Sequence, residues 1–469
     1  MAFNSVQYAL LLITVFGLNQ VLPRRGQNVL LLLASYFFYG SWDWRFLSLL
    51  WISTLVDYTV GRALPAAEGR RRRRLLIISM TVNLGFLWIF KYLGFFVDSA
   101  ARLLEAVGLE PNLPMLSIVL PIGISFYTFQ TMSYTIDIYR GRMTPTKDLL
   151  SFAVFVAFFP QLVAGPIERA KHLLPQFEAD RPPTDWNHIG SGLYLILIGL
   201  FKKVVLADSV APIVEEAFAG AGTAGWLQLV VGVYAFALQI YGDFSGYSSI
   251  ARGSARLLGI DLMVNFNQPY LSRNITQFWR TWHISLSTWL RDYLYIPLGG
   301  NRGSSLATQR NLMITMLLGG LWHGAAWVFV IWGGLHGLYL VVHRRMRHAH
   351  EGGENQAPKL RDVPAIVATF NLVALAWIFF RAADLNQALA YLGGVITLRA
   401  GPIPWDSIVL VGPLLLASLG LDLAQRRGGS HEAILDWPGI RRGLVYASCL
   451  IGIVLFSGQP TVPFLYFQF

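Results

Sequence analysis

A histidine lies within an apolar, glycine-spaced stretch of this chain. His323 follows Gly319 and Gly320 and precedes Gly324, and residues 317–330 contain no other ionisable side chain. An ionisable group at membrane depth costs free energy, so a polar partner, a water-filled cavity or a reaction must account for it. Because a histidine near its ordinary pKa can take a proton from a hydroxyl, His323 is the leading candidate for a general base.

Two alternatives stay open at this point. The imidazole of His323 can instead hydrogen-bond a helix backbone and fix packing. His336, which follows Gly333 and Gly334 in a similar apolar setting, is a rival for the catalytic role, and spacing alone does not choose between the two.

Residues 278–302 are the second focus, because they combine aromatic side chains with flanking arginines. At helical spacing, Phe278 and Trp282 share one stripe, whereas Trp279 and His283 share a neighbouring one. Such an amphipathic helix can serve as an interfacial anchor. The position of His283 on the aromatic stripe favours a site instead.

Other polar residues give weaker signals. Asp243 lies between glycines, but without a strand and helix of a βαβ unit around them, so we expect helix capping at a broken segment. His343, His348 and His350 crowd a basic loop that lacks acidic or cysteine ligands at suitable spacing, which predicts a solvated loop and no metal site.

Composition predicts an all-α, polytopic integral membrane protein. Of 469 residues, 54% are hydrophobic and only 13% are charged, and apolar stretches of roughly 17 to 25 residues recur along the chain. Residues 3–22 are predicted to form the first spanning helix, retained in the mature protein. The net charge of +11 falls in short loops, which indicates membrane topology and no nucleic-acid partner.

The basic loops predict the topology, because they should lie on the cytoplasmic side. Both termini are then outside, and the aromatic tail at residues 464–469 is expected at the outer interface. Length and span predict roughly 11 to 13 transmembrane helices. The cytoplasmic clusters are residues 24–25, 62–74, 140–147, 343–361 and 425–442.

The middle third is less regular than the rest. Its apolar runs are predicted to break at Pro160, at Gly165 and Pro166, and at residues 242–246 and 265–269. Irregular backbone at membrane depth is tolerated only where protein buries it or a cavity adjoins it. We therefore expect a chamber between residues 148 and 337.

Several segments together resemble the membrane-bound O-acyltransferase family, and its bacterial alginate O-acetyltransferase branch most closely. The resemblance extends over nearly the whole chain. The segments are Leu321-Trp322-His323-Gly324 and residues 278–287, 289–302, 120–127, 165–167 and 241–247.

The resemblance implies re-entrant and interfacial helices around a central tunnel, through which an acyl group passes from a cytoplasmic thioester to a hydroxyl reached from outside. His323 matches the catalytic histidine of the family and His283 its second, tunnel-lining histidine. Asn301 or a backbone amide is expected, from residue type, to stabilise the oxyanion. The predicted substrate or tunnel residues are Trp279, Trp282, Trp322, Asn301, Tyr241 and Asp243.

The resemblance also implies the setting of the reaction. It predicts one domain over residues 1–469, with N-terminal helices at 1–147, a catalytic core at 148–343 and C-terminal helices at 344–469. Acetyl-CoA or another acyl thioester is the expected donor, with no bound cofactor. The expected partners are an extracytoplasmic SGNH-type acetyltransferase, an exported polysaccharide such as alginate and the bilayer of the bacterial inner membrane. D-alanyl or other acyl transfer to a cell-envelope polymer, and a non-enzymatic transporter, are the alternatives.

Overall fold

The computed structural model describes residues 1–109, 118–181, 184–346, 357–458 and 463–467. The regular secondary structure in these ranges is helical, which suits a membrane-spanning chain, because a helix satisfies its own backbone hydrogen bonds. The chain divides into two compact units, Met1–Ile189 with Ser254–Leu262, and Gly190–Gly253 with Met263–Phe469. The expected division at residues 147 and 343 stays a prediction.

The first unit contains a central helix that is buried on all sides. This helix, α6, has every residue from Ile124 to Ile138 buried, and α3, α4 and α7 pack against it. The helices of this unit are α1 Val6–Asn19, α2 Arg24–Asp43, α3 Leu47–Ala63, α4 Gly69–Leu87, α5 Leu93–Ala106, α6 Ile124–Tyr139, α7 Leu149–Ala157, α8 Phe159–Leu162 and α9 Ala170–Glu178.

The remaining helices lie wholly or mainly in the second unit, which contains the candidate site. They are α10 Trp186–Leu200, α11 Ala211–Ala219, α12 Trp226–Leu257, α13 Ile275–Thr281, α14 Ile284–Leu290, α15 Ser305–His323, α16 Trp327–Met346, α17 Val363–Arg381, α18 Leu385–Ile396, α19 Trp405–Gly428 and α20 Gly439–Phe456. Phe201–Asp208 extends α10 and Arg291–Tyr295 extends α14, both as π-helix.

Six helical segments among the described residues are long and apolar enough to cross a membrane, which confirms the all-α polytopic class. The count of 11 to 13 helices stays a prediction. The six segments are Gly69–Ala106, Trp186–Ala219, Trp226–Leu257, Leu360–Arg381, Trp405–Gly428 and Gly439–Phe456.

The predicted breaks at Pro160 and at Gly165 and Pro166 are present between α7 and α9. Helix α6 begins at Ile124, and residues 110–117, which precede it, lie outside the described ranges. Helix α18 lies between α17 and α19, and its residues Ala388 and Tyr391 are buried.

The predicted break at residues 242–246 is wrong, because α12 is continuous over 32 residues. Its glycines bring two helices together. A Cβ on Gly246 would lie 2.8 Å from the carbonyl oxygen of Gly199, and one on Gly253 would lie 2.5 Å from that of Gly192. Small residues at helix contacts let backbones approach closely in membranes. The glycine spacing therefore marks packing, and Asp243 is not a helix cap.

Helices α15 and α16 form an equally close pair. A Cβ on Gly320 would lie 2.2 Å from the carbonyl oxygen of Phe329, and one on Gly333 would lie 2.2 Å from that of Met316. A side chain at either position has no space without moving backbone. This pairing fixes the end of α15, where His323 is the last helical residue.

Candidate active site

His283 lies at a sharp turn between two short helices. Helix α13 ends at Thr281, and α14 begins at Ile284 with His283 as its N-cap residue, at φ 43° and ψ 54°. A residue other than glycine rarely adopts this left-handed conformation, which costs about 1–3 kcal/mol and persists only where its surroundings impose it. The expectation of one continuous helix through Trp282 and His283 is therefore wrong.

Asn265 holds this turn in place. Its backbone carbonyl accepts a hydrogen bond from the N–H of Ile284 at 2.9 Å. Its side-chain Oδ1 accepts from the backbone N–H of Ser285 at 3.3 Å and from the Ser285 hydroxyl at 2.9 Å. It also contacts Nδ1 of His283 at 3.1 Å. One buried amide thus fixes both the backbone and the ring.

The same contacts fix the tautomer of His283. A backbone N–H only donates, so the Asn265 atom facing Ser285 is the oxygen, and an amide oxygen only accepts. Nδ1 of His283 must therefore carry a hydrogen. In the neutral imidazole this leaves the lone pair on Nε2, which is the form that can accept a proton or a hydroxyl hydrogen.

His323 reaches the same place from α15. It is 3% exposed and His283 is 0% exposed, and their ring centroids lie 6.1 Å apart at 61°. Trp322 contacts both rings, at 5.9 Å from His283 and 5.1 Å from His323. The structure therefore brings together the two histidines that the sequence singled out.

Aromatic side chains surround the pair. Trp332 and Phe380 lie 5.0 and 5.4 Å from the ring of His323. Phe244 lies 4.7 Å from the ring of His283. A site of this kind keeps out bulk water, which strengthens the electrostatic interactions within it and protects a reactive thioester from hydrolysis.

His336 differs from this pair because a neighbouring side chain donates a hydrogen bond to its ring nitrogen. The indole N–H of Trp279 donates to Nδ1 of His336 at 3.3 Å, and the ring of Phe278 stacks on it at 6.0 Å. A neutral imidazole has one nitrogen lone pair, and Trp279 occupies that of His336. The geometry therefore disfavours His336 as a base. The sequence spacing alone did not distinguish His336 from His323.

The other predicted tunnel residues lie around the pair in different roles. Trp282 is 0% exposed and stacks on Phe278 at 5.5 Å. The hydroxyl of Tyr241 donates to Asp422 at 2.8 Å, and the ring of Tyr241 lies 6.3 Å from that of Trp282. Trp279 is only half-buried. Trp282 and Tyr241 form part of the aromatic wall behind His283.

Asp243 belongs to a buried ion cluster. The ammonium group of Lys203 lies 2.8 Å from Asp243 and 2.7 Å from Asp208. The other carboxylate oxygen of Asp243 accepts the backbone N–H of Leu465 at 2.8 Å. Asp243 therefore anchors the C-terminal segment, in place of the capping role expected for it.

That segment was expected at the outer membrane interface, and this expectation is wrong for residues 464–466. Phe464 and Leu465 are 1% and 4% exposed, and Phe464 stacks on Tyr247 at 4.5 Å. The ring of Tyr466 lies 5.6 Å from that of His323 and 6.2 Å from that of His283. Residues 468 and 469 lie outside the described ranges.

Asn301 is not brought to the histidines. It is exposed, and its side-chain oxygen accepts from the hydroxyl of Tyr295 and from Arg344. Asn301 precedes α15, whereas His323 is the last of its 19 residues, and at 1.5 Å per residue such a helix is about 28 Å long. The geometry therefore gives no support to Asn301 as an oxyanion donor.

Besides Phe244, four residues of this site were not among the predicted site residues. Asn265, Trp332, Phe380 and Tyr466 all contact one or both histidines. Asn265 lies in residues 265–269, which were predicted only to break an apolar run. A polar side chain at that position was the one feature of the sequence that could have indicated its role.

Comparisons with known proteins identify the family of the chain. Residues 144–375 match the model of the membrane-bound O-acyltransferase family, MBOAT, and this range includes His283 and His323. Two relatives are described as "Probable alginate O-acetylase AlgI". That of Pseudomonas aeruginosa is 46% identical over 394 residues, covering 83% of this chain and 73% of its own. That of Pseudomonas putida is 39% identical over 498 residues and covers both chains completely.

A third relative acts on a different polymer. The peptidoglycan O-acetyltransferase of Helicobacter pylori is 38% identical over 414 residues, covering 83% of this chain and 76% of its own. A non-enzymatic transporter is therefore set aside. The chain is a multi-pass membrane O-acyltransferase, and it belongs to the membrane-bound O-acyltransferase family.

Proposed function

We propose that this protein transfers an acetyl group from a thioester on the cytoplasmic side of the bacterial inner membrane toward an exported polysaccharide. The acceptor hydroxyl is reached from the outer side. Relatives named for alginate and peptidoglycan O-acetylation support acetyl as the acyl group and a glycan as the final acceptor. Alginate is the proposed polymer. The relative with the highest identity reported above and the relative whose match covers both chains completely are both named for alginate.

The observation that carries this proposal is the buried histidine pair. His323 and His283 come from separate elements, meet at 6.1 Å and lie among aromatic rings. A buried histidine in a purely structural role needs partners for its N–H and for its lone pair, but that role does not require two imidazole rings in contact. A base and a second polar group at one point are what acyl transfer requires.

In the proposed step, His323 is the general base. It takes the proton of the acceptor hydroxyl as that oxygen attacks the thioester carbonyl carbon. The new ester C–O bond forms, the C–S bond breaks, and the departing thiolate takes the proton from the His323 imidazolium. His283 orients the hydroxyl or the thioester during attack by its contact with them.

The two sides assigned to donor and acceptor follow from the topology predicted by the basic loops. The arginine run at residues 70–74 and the basic loop after α19 favour the cytoplasmic side. The donor is acetyl-CoA or another acyl thioester. We further propose that an extracytoplasmic SGNH-type partner receives the acetyl group or directs it to the polymer.

The test compares three variants in a host that depends on this gene for polymer acetylation. His323→Ala is expected to reduce ester-linked acetate on the exported polymer by about 100-fold or more, because general base catalysis typically contributes 10²–10⁴-fold. His283→Ala is expected to reduce it as well. His336→Gln is the matched control, since it is equally buried but lies in contact with Trp279.

The ester-linked acetate of the variants is compared at equal amounts of membrane-inserted protein. Normal acetylation by His323→Ala would refute the catalytic assignment. Transfer of D-alanine in place of acetate by the purified wild-type protein would keep the mechanism and change the acyl group.

A further inference from the structure

The indole N–H of Trp332 is a buried hydrogen-bond donor that has no role in the step proposed above. Trp332 is 0% exposed, and its Nε1 has no acceptor among the described residues. An indole N–H can only donate, and a donor buried without an acceptor costs free energy. Such groups are rare in folded proteins, and a catalytic role is one physical reason to retain one.

Four neighbouring rings cannot supply that acceptor. Those of Trp279, Trp377 and Phe380 lie 5.8, 5.7 and 5.1 Å from the ring of Trp332, and none of them has a lone pair that accepts a hydrogen bond. The ring of His336 lies 4.8 Å away, but Trp279 already occupies its single nitrogen lone pair. The packing around Trp332 therefore does not use its N–H.

Trp332 lies beside the candidate base. The centroids of its ring and the ring of His323 are 5.0 Å apart, and the two rings are nearly perpendicular, at 85°. Burial alone does not distinguish Trp332, because Trp282 and Trp377 are also 0% exposed. The ring contacts of the described residues bring neither of those two to His323. Contact with the base therefore separates Trp332 from them.

The backbone fixes this donor relative to the base. His323 is the last residue of α15, and Trp332 lies in α16 next to Gly333. The two helices touch there, because a Cβ on Gly320 would lie 3.1 Å from the Cα of Gly333. A donor that is held in place before the reaction needs no reorganisation when charge develops, and such preorganised donors stabilise a transition state most strongly.

Resting on the proposed function, we propose that Trp332 is a catalytic residue that donates its indole N–H to the oxyanion of acyl transfer. As the hydroxyl oxygen attacks the thioester carbon, the carbonyl oxygen takes the π electron pair and His323 takes the hydroxyl proton. The C=O bond then re-forms, the C–S bond breaks, and the thiolate takes the proton from His323. The indole keeps its hydrogen throughout. Trp332 thus has the role that the sequence predicted for Asn301.

The test removes the N–H and keeps the ring. Replacement of Trp332 by β-(3-benzothienyl)alanine puts a sulfur atom where the indole has its N–H. The same replacement of Trp377 is the matched control, because Trp377 is equally buried and stacks on Trp332. Rates are measured in membranes of the host described above, with labelled acetyl-CoA and with an acetylated acyl carrier protein as donors. Trp332→Phe and Trp377→Phe give the same comparison with natural residues.

Loss of the N–H at position 332 should lower kcat about 100-fold, because removal of one oxyanion donor costs about 10²–10³ in kcat. KM for the donor should change little, since the hydrogen bond strengthens only as negative charge develops. The melting temperature should not fall, because the replacement removes a buried donor that has no acceptor in the folded protein. A structural role of the N–H would instead lower the melting temperature and leave kcat unchanged.

Wild-type kcat after the benzothienyl replacement of Trp332, or an equal loss of kcat at positions 332 and 377, would overturn the proposal. Wild-type kcat at position 332 combined with lost transfer in His323→Ala would leave the proposed function standing without this donor. Retained transfer in His323→Ala would instead refute the proposed catalytic step itself. Ester-linked acetate on the polymer of intact cells gives the same comparison for any thioester donor.

Discussion

Replacing Asn265 with alanine tests whether one amide positions His283. The substitution removes the oxygen that accepts from the Ser285 N–H, the Ser285 hydroxyl and Nδ1 of His283, at 3.3, 2.9 and 3.1 Å. A buried donor left without a partner costs about 1–3 kcal/mol. Three donors lose their acceptor, and water can enter the space left by the amide and satisfy some of them. We therefore expect the free energy of unfolding to fall by about 3 kcal/mol, which is about 1 kcal/mol for each donor.

The substitution should also slow turnover. The variant keeps the backbone carbonyl of residue 265, which accepts from Ile284, but it loses the side-chain oxygen that orients the ring of His283 and keeps the hydrogen on Nδ1. A misplacement of about 1 Å can cost about 100-fold in rate. We therefore expect kcat for acetyl transfer, measured with the purified protein and a labelled thioester, to fall about 100-fold while KM for the donor changes little.

Two further variants separate positioning from loss of stability. Asn311→Ala removes another buried amide of the second unit, one that donates to the carbonyl of Gly300 at 3.2 Å, so it should lower thermal stability and retain kcat. Asn265→Asp keeps an acceptor oxygen and should recover part of kcat. Wild-type kcat in well-folded Asn265→Ala would refute the argument.

Two other predictions concern packing and pH. Gly320→Leu places a side chain 2.2 Å from a backbone oxygen and should abolish the monodisperse, folded protein in size-exclusion chromatography, whereas Gly393→Ala, which meets nothing within 4 Å, should be tolerated. The pKa of His431 is lowered to about 3, so the unfolded chain binds a proton below about pH 6.5 that the folded protein does not. Thermal stability should therefore fall between pH 7 and pH 5 in the wild type and fall less in His431→Gln; equal slopes would contradict this reasoning.

The sequence predicted those parts of the site and fold whose free-energy cost depends only on nearby residues. His323 is detectable because an ionisable side chain among apolar residues is costly wherever the chain folds. The basic clusters and apolar lengths similarly predict the polytopic class, because a membrane imposes them on any sequence. Neither inference needs knowledge of which residues meet in three dimensions.

The errors arise where one local pattern has two physical uses. Gly242 and Gly246 suit a helix break as well as a close helix contact, and only the neighbouring backbone of Gly199 shows which applies. The aromatic tail suits a membrane interface as well as a protein core. Its burial depends on Asp243, 222 residues away, which accepts the N–H of Leu465.

Asn265 shows why the site itself was only partly predictable. Its contact with His283 spans 18 residues and requires the chain to turn back between α12 and α14. The helical periodicity of residues 278–290 predicted a single helix, since periodicity reports side-chain spacing and not the hydrogen bonds that end a helix. The left-handed residue at 283 breaks that helix and turns the ring.

The break has a consequence for how the two histidines act. His323 ends a helix that is fixed by backbone contact with α16, whereas His283 depends on one amide at a turn. The first is therefore rigidly placed, and the second can be displaced by any change along residues 265–268, whose backbone carbonyls also accept hydrogen bonds from Arg426.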